Sequence, residues 1–111
     1  LVAMNGVPWW FFEGFGGPLA GTRLKAVDPD GAIAAAIPGR HIIGCVVHAS
    51  CSLNGPGHVK QHFGNKLIVG EPSGERTARV LHLVSWLEKA GFETVLSGQI
   101  QKDAWYKLWG K

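Results

Sequence analysis

Residues 66–98 limit the fold most tightly. "KLIVGE" (66–71) is apolar and β-branched and reads as a strand. "ERTARVLHLVSWLEKAG" (75–91) follows, with Val80, Leu83, Val84 and Leu87 on one helical stripe. Ser73 is the expected N-cap, and Gly91 closes the helix. "FETVLSG" (92–98) reads as a second strand. Strand, amphipathic helix and strand in that order are a unit of an α/β sheet. The chain has 16 glycines in 111 residues, about twice the average share of roughly 7%. Such density marks many tight turns and suits short alternating elements better than a helical bundle.

The remaining segments extend that sheet. "LVAM" (1–4) is a short apolar strand that runs out into an Asn5-Gly6 turn. "VPWWFFEGFGG" (7–17) holds too much Gly and Pro for a long helix and is expected as a short turn or helix on the sheet surface. "VDPDG" (27–31) is a turn, and "AIAAAI" (32–37) a short helical or extended piece stopped by Pro38-Gly39. "HIIGCVVHAS" (41–50) is a strand and "CSLNGPG" (51–57) a loop. In "HVKQHF", Val59, Gln61 and Phe63 alternate with His58, Lys60 and His62, which predicts a strand with one wet face. "GN" (64–65) is expected to turn it back into "KLIVGE" as a hairpin, making the sheet mixed. "QKDAWYKLWGK" (101–111) reads as a final helix. The length suits one domain. The chain opens in what reads as a strand and stops inside a helix, so a piece of a longer protein is expected.

Composition narrows the function classes. The net charge is +3, with basic residues interleaved with acids and no basic run of the kind that tracks a phosphate backbone, so no nucleic-acid partner is expected. A mild positive bias still favours an anionic small molecule. No apolar run reaches the ~18 residues of a membrane span, and no stretch has the order of a signal peptide. Cys45 inside a strand and Cys51 past its end would stand about 20 Å apart at ~3.3 Å per residue. That predicts two reduced thiols and a cytoplasmic protein. On a strand His58 and His62 are about 13 Å apart, too far for one metal ion, and no metal site is expected.

Three residues could carry chemistry. Asn5, where a strand meets a Gly turn, is either an amide that orients a ligand at the strand's carboxyl end or a residue chosen for its turn. Lys107 lies among Trp105, Leu108 and Trp109. It is either a lysine snorkelling at the edge of an apolar stripe or a protonated amine acting as hydrogen-bond donor or general acid beside a cleft. His48, at a strand end, is a weaker candidate for substrate contact, beside the reading of a satisfied structural histidine.

Taken in order, "MNGV", "GCVVHAS", "GPGHVKQHFGNKLIVGE", a helix and "AWYKLW" resemble the ketopantoate reductase (2-dehydropantoate 2-reductase) family over most of the chain. Residues from about Pro8 to Arg40 are similar to those of a longer-chain subgroup. The resemblance implies the C-terminal half of a Rossmann-like NAD(P)-binding domain with a mixed sheet over residues 1–101. Residues 102–111 would then be the first turns of a helical substrate and dimerisation domain. It implies an NADP-dependent oxidoreductase of pantothenate and coenzyme A biosynthesis, with a small 2-keto acid as substrate and a homodimer left open for the longer protein. Asn5 matches the family's active-site Asn, with Gly6 beside it at the cofactor, and Lys107 matches the Lys that protonates the keto oxygen. Lys111 stands where the family has a substrate-contacting Asn. The family's Gly-x-Gly-x-x-Gly turn is not in this sequence, and these residues alone are expected to be inactive. A related dehydrogenase acting on another 2-keto or 3-hydroxy acid and a non-catalytic folded fragment remain the alternatives.

Overall fold

The structure, a computed structural model, describes residues 1–12 and 21–110. Most of the glycine-rich part of "VPWWFFEGFGG", and Lys111, lie outside them. The elements in chain order are β1 (Val2–Ala3), α1 (Ala32–Ala36), a 3-10 turn (Gly39–His41), β2 (Gly44–Leu53), β3 (Val59–Gly70), α2 (Ala78–Lys89), β4 (Glu93–Leu96) and α3 (Ile100–Trp109). The four strands form one sheet in the order β1-β2-β3-β4. β1 runs parallel to β2, β2 antiparallel to β3, and β3 parallel to β4. This is the expected α/β architecture with a mixed sheet.

Alternation along β2 and β3 splits the core into two layers. Val46 and Ile68 face one way, packed with Trp10, Ile42 and Ile100 of α3. Their neighbours Cys45 and Val69 face the other way, with Ile43, Val80 of α2 and the half-buried Leu83, Val84 and Leu87. The stripe read from the sequence is thus the face α2 buries, and β2 with β3 is covered on both sides only where the helices lie.

Three local expectations are corrected. The helix cap is Thr77, whose Oγ accepts from Val80 N–H at 3.3 Å. Ser73 sits in the preceding turn and accepts from Glu75 N–H instead. "HVKQHF" and "KLIVGE" do not form a hairpin; they are one strand, β3. Gly64 has φ +82°, and a Cβ there would stand 2.6 Å from the His48 carbonyl oxygen, so Gly64-Asn65 is a bulge site rather than a turn. β3 accordingly spends 12 residues against 10 of β2, with register shifts around Ser50. The true hairpin turn is Asn54–His58, closed by Asn54 N–H to His58 O at 2.8 Å. "CSL" therefore belongs to β2, and Cys51 lies inside the strand. The outer hairpin projects past the helices, so neither face of residues 59–63 is covered, and Phe63 is 73% exposed. His62 bonds Ser52 across the strands at 2.7 Å.

Pro8 to Phe12 form turns against the sheet. Trp10 does more than lie on the surface: it is only 2% exposed and sits on Gly44. A Cβ at Gly44 would come within 2.5 Å of the Trp10 ring. The glycine is what lets the indole reach the sheet.

The entry to α2 is tied to the core by a buried carboxylate. Arg79 donates to both oxygens of Glu71, at 2.6 and 2.5 Å, and to the carbonyls of Arg40 and Ile42. Thr77 Oγ–H donates to the same carboxylate at 2.6 Å. These bonds, the one from Arg79 first, hold the Glu71 carboxyl below its usual pKa against the opposing pull of burial. A depressed carboxylate pKa stabilises the fold fully above the unfolded value of about 4.3, and the contribution is lost as pH falls through the folded value. Urea unfolding between neutral and acid pH should show that loss in the parent chain, and Glu71→Gln should flatten it. Arg79→Ala should destabilise by about 2–3 kcal/mol, because it strands a buried carboxylate while the lost guanidinium was partly screened by water. A change under 0.5 kcal/mol would mean that water takes over the arginine's bonds.

Candidate functional site

β1 and β2 run parallel with Ala3 opposite Cys45, so Asn5, two residues on, leaves the sheet beside Val47. α3 packs across this part of the sheet. Its inward face carries the buried Ile100 and Gln101 and the half-buried Ala104 and Lys107, at helical spacing. Trp105 and Trp109 are exposed, Trp109 to 79%, and Leu108 sits at the edge of the cavity beside Lys107. Lys107 is therefore not a lysine snorkelling at the edge of a buried tryptophan stripe. Its Nζ turns toward the sheet and donates to Asn5 Oδ1 at 2.9 Å and to the Val47 carbonyl. Two residues 102 positions apart in the sequence meet just past the carboxyl end of β1, beside Val47, the fourth residue of β2, and strand carboxyl ends are where open α/β sheets take their ligands.

The ammonium rests on a partly apolar bed. A small cavity of about 20 Å³ there is lined by Asn5, Gly6 and Lys107 together with Trp10, Cys45 and Ala104. Burial pushes the Cys45 thiol pKa up, with Lys107 pulling against it. Both cysteines are free, Cys45 buried and Cys51 exposed. A thiol reagent should accordingly label Cys51 quickly in the folded chain and Cys45 only after unfolding, two thiols in all without reductant. Equal labelling rates would contradict the packing of β2.

His48 is exposed, next along β2 from the carbonyl that holds Lys107. Desolvation first, then the charges of Lys107 and Lys66, hold its pKa below the usual value, with Asp103 opposing. It stays mostly neutral at neutral pH and can accept or donate at the site's margin. Gly6, with φ +80°, is exposed, and no described residue comes within 4 Å of where a Cβ would stand. Among the described residues no group of three His, Cys, Asp or Glu could hold a metal ion.

Several supporting residues were not foreseen. The Val47 carbonyl is a main-chain acceptor in an apolar strand, and no residue type announces it. Ser97 bonds the Asp103 carboxylate and accepts from Gln99 N–H at 3.0 Å, which ties down the start of α3. Gln101, buried, donates to Pro72 O at 2.7 Å. The signal that was present is Asp103 in the first turn of the helix, the place where an acid suits the helix dipole.

A mixed α/β sheet with a Lys–Asn pair just past the end of β1 is of the Rossmann-like class. No family profile matches the chain. It is 47% identical over 110 residues to a curated 2-dehydropantoate 2-reductase of Mesorhizobium japonicum, covering 99% of this chain and 34% of that protein. A crystal structure assigned as a ketopantoate reductase of Ralstonia solanacearum MolK2 superposes with a TM-score of 0.92 at 52% identity, over 97% of this chain and 33% of that one. The chain is similar over nearly its whole length to these two ketopantoate reductases and spans about a third of their length.

Proposed function

We propose that the protein to which these residues belong is an NADPH-dependent reductase that converts 2-dehydropantoate to pantoate, a step of pantothenate and coenzyme A biosynthesis in the cytoplasm. The observation that carries this reading is Lys107 Nζ held on Asn5 Oδ1 at 2.9 Å. Asn5 and Gly6, exposed at the end of β1 beside an ammonium, fit a nicotinamide ring: a glycine, with no side chain, leaves room for a flat group. The cofactor, when bound there, supplies the hydride. Lys107 supplies the proton. Reduction of a ketone builds negative charge on its oxygen, and an ammonium already positioned by two acceptors stabilises that charge and then neutralises it. Asn5 positions the amine without competing for the proton, since an amide does not titrate in this range. His48 flanks the place where the keto acid's other groups would lie.

On this reading residues 1–101 are the second half of the cofactor domain, and 102–111 open a helical domain that completes the substrate site. Partners are the small keto acid and a second subunit in the longer protein, not nucleic acid or membrane. Among the described residues no helix is long and apolar enough to cross a membrane. The test compares NADPH oxidation with 2-dehydropantoate by these 111 residues alone and by the longer protein. Turnover is expected only in the longer protein. Turnover by the 111 residues alone, abolished by Lys107→Ala, would overturn the division of the site between domains, and none in either would overturn the activity.

A further inference from the structure

The sheet brings a second amine toward the site. His48 of β2 and Lys66 of β3 stand directly opposite each other in the antiparallel register. Residues so opposed share a face of the sheet, with Cβ atoms about 4.5–5.5 Å apart. The face is fixed by Val46 and Ile68, two positions along each strand, which pack in the layer under α3. His48 and Lys66 therefore look to the side on which α3 brings Lys107 to the carbonyl of Val47, the residue before His48. His48 is exposed and Lys66 half-buried. Desolvation and then the charges of Lys107 and Lys66 lower the His48 pKa, so both amines stand within electrostatic reach of the ring. Two carboxylates border the group. Asp103, one turn before Lys107, opposes that shift and is itself bonded by Ser97. Glu93, opposite Lys66 on the β4 side, is exposed, and the one ion pair among the described residues is Arg79–Glu71.

We propose that Lys66, with His48 beside it, binds the carboxylate of the keto acid whose ketone oxygen meets Lys107, and so selects a charged acid over a neutral ketone. This role rests on the reductase reading and adds a residue to it. A 2-keto acid carries its carboxylate on the carbon next to the ketone, so the anion lies beside the oxygen that Lys107 protonates. Next to the Lys107 contact on β2 comes His48, and across the sheet from His48 comes Lys66. Three basic groups converging on one spot repel one another and attract an anion. The ammonium and a neutral imidazole N–H both donate to a carboxylate, and the bond from the charged donor is the stronger. The carboxylate keeps its charge throughout the reaction. Lys66 therefore holds ground and transition states alike and acts on KM, while Lys107 is left to the charge that develops on the ketone.

The test uses the longer protein. Lys66→Met should raise KM for 2-dehydropantoate about tenfold, the low end for a hydrogen bond to a charged group near water. Its kcat should stay within about twofold and its NADPH affinity should not move. Lys66→Arg keeps the charge and should remain within about threefold of the parent KM. Calorimetry gives a readout without turnover. Trimethylpyruvate, a 2-keto acid, and its uncharged methyl ester are titrated in the presence of NADP⁺, which has no hydride to give. The parent should prefer the acid about tenfold, and Lys66→Met should lose that preference. An unchanged KM in Lys66→Met, or the same preference in both proteins, would overturn the role of Lys66 and leave the reductase reading standing. Equal affinity of the parent for acid and ester would overturn it with no variant at all. If the parent does not reduce 2-dehydropantoate, the reductase reading falls, and the calorimetric preference alone decides whether Lys66 holds a carboxylate.

Discussion

If the proposed reductase activity holds, Lys107→Ala in the longer protein should lower kcat by on the order of 10²–10³-fold, the usual loss when one preorganised donor to a developing oxyanion is removed, and leave NADPH binding close to unchanged. The split follows from where the charge appears. The ketone oxygen gains charge only in the transition state, so the ammonium acts on kcat, whereas contacts shared with the ground state act on KM. Asn5→Ala should change both. It removes the acceptor 2.9 Å from Nζ and also a group at the proposed nicotinamide position. Steady-state kinetics with 2-dehydropantoate, with cofactor titration by fluorescence, separate the two patterns. Near-normal kcat in Lys107→Ala would leave the lysine a structural tether between α3 and β2.

Trp10→Ala costs about 3–5 kcal/mol of stability, the range for deleting a large aromatic from a packed core. That is a large part of the roughly 5–15 kcal/mol that holds a domain of this size. The indole fills the space above Gly44 and joins Ile42, Val46 and Ile100 in one layer. Its Nε1–H is buried and has no partner among the described residues, and an unpaired buried donor works against folding. Trp10→Phe should therefore lose much less than Trp10→Ala, since it keeps ring volume and removes the orphaned donor. Urea unfolding of both variants checks this. Equal losses would mean that the indole nitrogen has a partner and that the layer is not held by packing alone.

The same residues show how far the sequence could be read. The α2 stripe and its glycine end were legible, because a helix that buries one face must repeat its apolar residues every three or four positions. The order of strand, helix and strand then implied the sheet. β3 was not legible as one strand, because Gly64 and Asn65 carry a turn signal whether the chain reverses or merely bulges. The packing of Gly64 on the His48 carbonyl decides that, and it is a contact across strands. Ser73 and Thr77 are both cap residues by type. Thr77 serves because Glu71 draws its hydroxyl and Arg79 into one cluster at the start of α2.

At the site, the residues alone made Asn5 and Lys107 separate candidates, each with an ordinary structural account, and only the family resemblance joined them. Their pairing needs β1 beside β2 and α3 across both, which no local pattern encodes. The tryptophans near Lys107 suggested a buried stripe, yet α3 buries Ile100, Gln101 and Ala104 instead. Those wide exposed rings kept the snorkelling account open until the helix was seated on the sheet.

Chemical rescue of Lys107→Ala tests most directly whether an ammonium held at Asn5 and Val47 gives its proton to the substrate. The longer protein carrying that substitution is assayed with 2-dehydropantoate and NADPH in rising methylammonium, with tetramethylammonium at equal ionic strength as the control. Saturable recovery of kcat with methylammonium, and none with tetramethylammonium, which has no N–H to donate, is the predicted result. No recovery in a variant that folds and binds NADPH normally, or equal recovery with both salts, would contradict a proton-donating role for Lys107.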